Sequence, residues 1–133
     1  MGFKRAFSGA PWEASVGYCR ALRAGDRVYV SGTAPVGEDG ATRAPGDASA
    51  QARRGFELAE AALRELGAGL GDVVRTRMYV TDAAYAEAVG RAHGERFSKH
   101  PPASTLVVVA GLVRPDMLVE VELDALCGGG GGA

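Results

Sequence analysis

The chain has 133 residues, of which 47% are hydrophobic and 23% charged, which bounds it to one ordinary globular domain able to bury roughly two-thirds of its unfolded surface. Lys and Arg number 15 against 16 Asp and Glu, a net charge of -1, so the basic excess typical of nucleic-acid binders is missing. Cys19 and Cys127 fit no metal-ligand spacing and read as free thiols of a reducing compartment. Met1-Gly2-Phe3-Lys4-Arg5 leads into no apolar leader, and no run approaches the roughly 20 apolar residues of a membrane span. The expectation is a cytoplasmic protein without membrane or nucleic-acid partners.

Residues 16–30 read as a hairpin. Val16, Tyr18, Arg20 and Leu22 form one alternating set, Ala24-Gly25-Asp26 supplies the turn, and residues 27–31 return. Gly32, Pro35, Gly37 and Gly40 end the regularity, and a polar loop runs to about Gly46. Asp47 or Ser49 offers the N-cap of a long helix whose stripe is Ala52, Phe56, Ala59, Leu63 and Leu66, with Gly67 as its stop. Residues 72–81 predict a strand in which Val74, Thr76, Met78 and Val80 oppose Arg75, Arg77 and Tyr79. Thr81-Asp82 caps a second helix with the stripe Tyr85, Ala88, Val89, Ala92 and Phe97, and Pro101-Pro102 enforce an extended exit.

The continuous apolar run 104–110 predicts a central strand covered on both faces. Arg114-Pro115-Asp116 makes a turn into a last strand over 118–125, with Val119, Val121 and Leu123 on one face and Glu120, Glu122 and Asp124 on the other. A single domain is expected over 1–126, followed by a flexible Gly-rich tail, 127–133. The order of elements gives an α+β sheet with two helices on one face. Self-association would cover the other face.

Four segments together resemble the RidA/YjgF family: Ser31-Gly32, the stretch from Asp72 to Asp82, Pro102-Ala103-Ser104-Thr105, and Val119-Glu120-Val121-Glu122. The likeness spans about Val16 to Ala125. It implies a chorismate-mutase-like fold, a homotrimer with clefts between subunits, and hydrolysis of reactive enamines or imines to a carbonyl compound and ammonia, without metal or organic cofactor. Family labels also include endoribonuclease and translation inhibitor. By the same resemblance Tyr18, Ser31 and Gly32 line the cleft, Glu120 positions the attacking water, and Leu106 stands where a cysteine often sits. The imine deaminases carry an arginine after Pro-Ala to clamp the substrate carboxylate. Here that position is Ser104.

Imine hydrolysis needs a held water and proton traffic to the leaving nitrogen, which a carboxylate such as Glu120 can manage. Periodicity alone would make Glu120, Glu122 and Asp124 the solvated face of a strand. Ser104 and Thr105 can meet a polar ligand or satisfy backbone at a strand start. A serine cannot replace the bidentate, charged fork of a guanidinium, a loss of about 2–5 kcal/mol at a buried site. The expected substrate is therefore a small enamine or imine other than a simple α-imino acid, unless Arg77 or Arg114 substitutes. The alternatives are a non-catalytic, metabolite-binding or regulatory trimer and, less favoured by charge, an endoribonuclease. His93 reads as a packing histidine, and no Gly-rich segment is placed as a dinucleotide loop, so no cofactor is expected.

Overall fold

In a computed structural model, which describes residues 2–128, the longest amphipathic stretch forms helix α1 (Ala48–Glu65). Asp47 is its N-cap, the carboxylate accepting from the Ala50 amide at 3.0 Å. The helix closes on Gly67 at φ +82°, where the amides of Gly67 and Ala68 return to the carbonyls of Arg64 and Leu63. The predicted stripe faces inward: Ala52, Phe56, Ala59 and Leu63 are fully buried. Phe56 and Leu63 each contribute about 1.5–3 kcal/mol through that burial. The second helix, α2 (Ala86–Phe97), follows a single 3-10 turn capped by Asp82 and packs on α1 through Phe56 and Phe97, edge to face at 5.7 Å.

The strands are β1 (Lys4–Ala6), β2 (Ala21–Ala24), β3 (Arg27–Thr33), β4 (Val73–Val80), β5 (Ala103–Val108) and β6 (Val119–Leu126). They form one sheet in the order β1-β2-β3-β6-β4-β5, with only β4 and β5 parallel. Val28, Val30, Thr76, Met78, Val80, Val119, Val121 and Leu123 are buried on the helix side. The opposite face carries Tyr29, Arg75, Arg77, Tyr79, Glu120, Glu122 and Asp124, as their cross-strand register requires. This is the α+β sheet with two helices on one face that the element order predicts. Gln51, fully buried, ties α1 to the entrance of β6: it donates to the Asp116 carbonyl at 2.9 Å and accepts from the Leu118 amide at 2.7 Å.

Four expectations are corrected. The hairpin strand begins at Ala21, not Val16, because residues 13–17 form a π-helical turn ending at Gly17, φ +92°. A short N-terminal strand, β1, pairs with β2 and has no counterpart in the sequence reading. Val74 is exposed because a register shift between Val73 and Arg75 takes it out of the alternation. The apolar run at 104–110 is not a central, doubly covered strand: β5 is an edge strand paired only with β4, and Val107 and Val108 are exposed. Central position belongs to β6, which lies between β3 and β4. The tail beyond residue 128 lies outside the described residues.

Candidate active site

The polar site grows from a bulge. Between Val30 and Thr33, β3 carries one residue more than β6 opposite, which displaces Ser31 and Gly32 from regular pairing. A Cβ added at Gly32 would overlap the Glu120 carboxylate and come 3.1 Å from its carboxyl carbon. The missing side chain is what lets Glu120 lie across the strand. Gly32→Ala is therefore expected to displace the carboxylate with little change in Tm, read by a crystal structure of the variant beside thermal unfolding.

A buried arginine organises this corner. Arg20 donates from Nη1 to the Gly32 carbonyl at 2.7 Å and to Thr33 Oγ1 at 3.2 Å, and from Nη2 to the Tyr18 hydroxyl at 3.3 Å. Its Nε pairs with Glu13 at 3.2 Å, and both side chains are less than a tenth exposed. Ser8 closes the cluster by donating to Glu13 from its hydroxyl and its amide. Ser31 donates to the Cys19 carbonyl at 2.8 Å, which leaves its oxygen free to accept. Four predicted residues, Tyr18, Ser31, Gly32 and Glu120, thus share one neighbourhood.

Burial raises the Glu120 pKa; the Arg20 charge lowers it and Glu122 raises it, for a net shift above the ordinary carboxylate range. A carboxyl group so placed holds its proton more readily and is a stronger base once ionised. Glu122 and Asp124, by contrast, are both within reach of Arg77, at 3.1 and 3.3 Å, and Glu122 also accepts from the Tyr79 hydroxyl at 2.7 Å. They are a paired surface cluster.

The remaining predicted residues lie elsewhere. Ser104 and Leu106 are in register with Thr76 and Met78 and face the helix side of β5, whereas Glu120 lies on the opposite face with β4 between. Thr105 points the other way from Ser104, and its hydroxyl accepts from Arg75 at 3.1 Å. Neither suggested substitute arginine is free: Arg77 faces away from Ser104 in its ion pairs, and Arg114 donates to the Gly40 carbonyl at 2.6 Å and lies over the Trp12 ring. Among the described residues no group of His, Cys, Asp and Glu is arranged to hold a metal. No helix among them is long and apolar enough to cross a membrane.

Two residues of this cluster, Arg20 and Glu13, carry no mark in the sequence. Alternation puts Arg20 on a strand face, and its partner lies seven residues upstream across a turn with no periodic signature. An arginine flanked by apolar residues, with a glutamate nearby in an irregular segment, was the available signal.

A sheet layered by two helices, with a half-buried carboxylate seated against a bulged strand, defines a small α+β domain with a polar site on its sheet. The chain belongs to the endoribonuclease L-PSP family, the RidA/YjgF family of the resemblance above, which it matches over residues 8–127. It is 42% identical over 125 residues to an uncharacterized protein of Streptomyces coelicolor, covering 94% of this chain and 92% of that one. It is 36% identical over 104 residues to the 3-aminoacrylate deaminase RutC of Acinetobacter baylyi, covering 78% of this chain and 82% of the other. The crystal structure of a YjgF/YER057c/UK114 family member from Mycobacterium tuberculosis superposes with a TM-score of 0.85 at 41% identity, covering 94% of this chain and 99% of that one.

Proposed function

We propose that this protein is a cofactor-independent hydrolase of small enamines or imines in which Glu120 orients and deprotonates the attacking water. The observation that carries the reading is the Glu120 carboxyl group, half-buried against Gly32, its pKa raised by burial. Water adds to the imine carbon as Glu120 takes its proton. Glu120 returns that proton to the nitrogen to give the neutral carbinolamine, which collapses as its hydroxyl proton passes to nitrogen through the same carboxylate, releasing ammonia and the carbonyl compound. Tyr18, Ser31 and Gly32 shape the wall, and Ser104, Thr105 and Leu106 belong to the far side of the cleft. The deaminase activity named for the Acinetobacter relative supports this class of reaction.

The cleft is shared between copies of the chain, in a homotrimer. Two features support this: Ser104 and Glu120 lie on opposite faces of one sheet, so a single chain does not bring them together, and Tyr29, Val107 and Val108 are exposed. Ser104 offers no charge to a carboxylate, which favours an uncharged substrate over an α-imino acid.

The test measures hydrolysis of two imines made in place, 2-iminopropionate from an amino-acid oxidase and a neutral aldimine from a flavin amine oxidase. Acceleration of the neutral imine, and weak or no acceleration of 2-iminopropionate, is the expected result. Acceleration of neither by a well-folded trimer would replace this reading with the non-catalytic, metabolite-binding one. Preference for 2-iminopropionate would show that a carboxylate clamp exists without an arginine at position 104.

A further inference from the structure

Ser104 is not an isolated hydroxyl. The Thr76 hydroxyl, fully buried on β4, lies 2.7 Å from Ser104 Oγ on one side and 2.8 Å from His93 Nε2 on the other. The His93 ring is held between two aromatic neighbours, with centroids 5.8 Å from Phe56 and 4.6 Å from Phe97. Two hydrogen bonds therefore join three side chains in a row, from α2 across the helix side of β4 to the exposed edge strand β5.

We propose that His93, Thr76 and Ser104 form a reversible hydrogen-bond relay that sets whether the β5 edge donates to, or accepts from, an uncharged ligand. His93 and Thr76 are positioning residues, and Ser104 makes the contact. This rests on the reading of Ser104 as part of the cleft. The reasoning is a count of protons. Thr76 has one O–H and two neighbours, so it donates to one and accepts from the other. If its proton goes to an unprotonated His93 Nε2, Ser104 donates inward to Thr76 and turns its lone pairs outward, ready for the N–H of an enamine or amine. If His93 carries its proton on Nε2, the direction reverses: Thr76 donates to Ser104, and the Ser104 hydroxyl points its hydrogen outward, ready for an imine nitrogen or a carbonyl oxygen. A neutral ring allows both arrangements by exchange of tautomer. An imidazolium allows only the second.

Such a relay suits a site that meets both the N–H of an enamine and an imine nitrogen or carbonyl oxygen, which differ in hydrogen-bonding polarity, and a guanidinium, which only donates, could not serve both. Burial lowers the His93 pKa from its ordinary value, so the ring is neutral at physiological pH and both arrangements are open there. The charged groups across the α1–α2 contact are paired among themselves, Arg53 with Glu95 and Arg96 with Glu60. Among the described residues the ring has no charged hydrogen-bond partner.

The experiment compares KM for the neutral aldimine between pH 5 and 8 in the wild type, His93→Phe and Thr76→Val, with folding checked by circular dichroism and thermal unfolding. The wild type is expected to bind this acceptor more tightly as pH falls and His93 protonates. Both variants should lose that dependence and show KM raised about three- to tenfold at the acid end, the worth of one neutral hydrogen bond. Phe keeps the aromatic packing and Val the shape of the buried threonine, so a change limited to stability would leave the KM profile in place. A KM profile identical in all three folded proteins overturns the relay. Glu120→Gln and the wild-type rate separate that failure from failure of the hydrolase reading: loss of turnover in the Gln variant with unchanged KM profiles in the others sinks only the relay, retained turnover removes Glu120 as the base, and no turnover by the wild type sinks the hydrolase reading beneath it.

Discussion

Glu120→Gln is expected to lower kcat on an accepted imine by about a hundred- to ten-thousandfold, the usual worth of a positioned acid–base group. The amide keeps the shape of the side chain and its seat against Gly32, so the loss isolates the carboxylate's chemistry. The pH dependence gives a second signature. The folded pKa of Glu120 lies above its unfolded value of 4.5, so its contribution to stability is fully present below that value and declines as pH rises through the folded pKa. Activity runs the other way, because the base must be ionised. The wild type should gain activity and lose stability over the same pH interval, and the Gln variant should lack both trends. Rate profiles and urea unfolding across pH 4–8 measure the pair.

The second large effect is expected at Arg20. Arg20→Met strands the Glu13 carboxylate in a buried corner and leaves the Gly32 carbonyl, Thr33 and the Tyr18 hydroxyl without their donor. Breaking a buried ion pair by removing one partner costs about 3–5 kcal/mol. Urea unfolding should show a loss of that size, and Glu13→Leu added to Arg20→Met should recover part of it, since the orphaned charge is then gone. Loss of the Arg20 charge also removes the influence that holds Glu120 down, so the acid limb of kcat/KM should move to higher pH. At Glu13 burial pushes the pKa up, but hydrogen bonds from Ser8 and the Arg20 charge outweigh it and leave the carboxyl below the ordinary range. That stabilisation is present above 4.5 and is lost as pH falls through the lowered folded value. An Arg20 variant with no change in either stability or pH profile would remove the arginine from the centre of this site.

Much of the architecture was legible because its signals are local. Asp47, the stripe of α1 and Gly67 each state one end or one face of a helix, and β6 alternates without interruption from Val119 to Ala125. What failed depended on partners. A continuous apolar run has the same composition whether neighbouring strands or a second chain cover it, so its pattern points to the centre of the sheet although β5 lies at the edge. Val74 was lost to a bulge, which shifts register without any special residue type. The site shows the same division. Resemblance marks Tyr18, Ser31, Gly32 and Glu120, which do gather, whereas Arg20 and Glu13 carry no such mark, because a buried pair is recognised only once its burial is known. His93 reads as a packing residue and does pack; its hydrogen bond to Thr76 crosses from helix to sheet, a contact no spacing rule encodes.

The central place of β6 has a consequence for how the chain acquires its shape. The strand made last is the one that joins β3 to β4, so the two halves of the sheet stay unconnected until residues 119–126 have been made. A nascent chain ending before that point can close the β2–β3 hairpin and wind α1, but each inner strand keeps one bare edge and the apolar face of α1 lacks its largest sheet contact. Cooperative folding is thus deferred until residues 119–126 have been made, through contacts that join distant parts of the sequence and so form slowly. Until then the exposed edges are the part of the molecule most open to pairing with another unfinished chain.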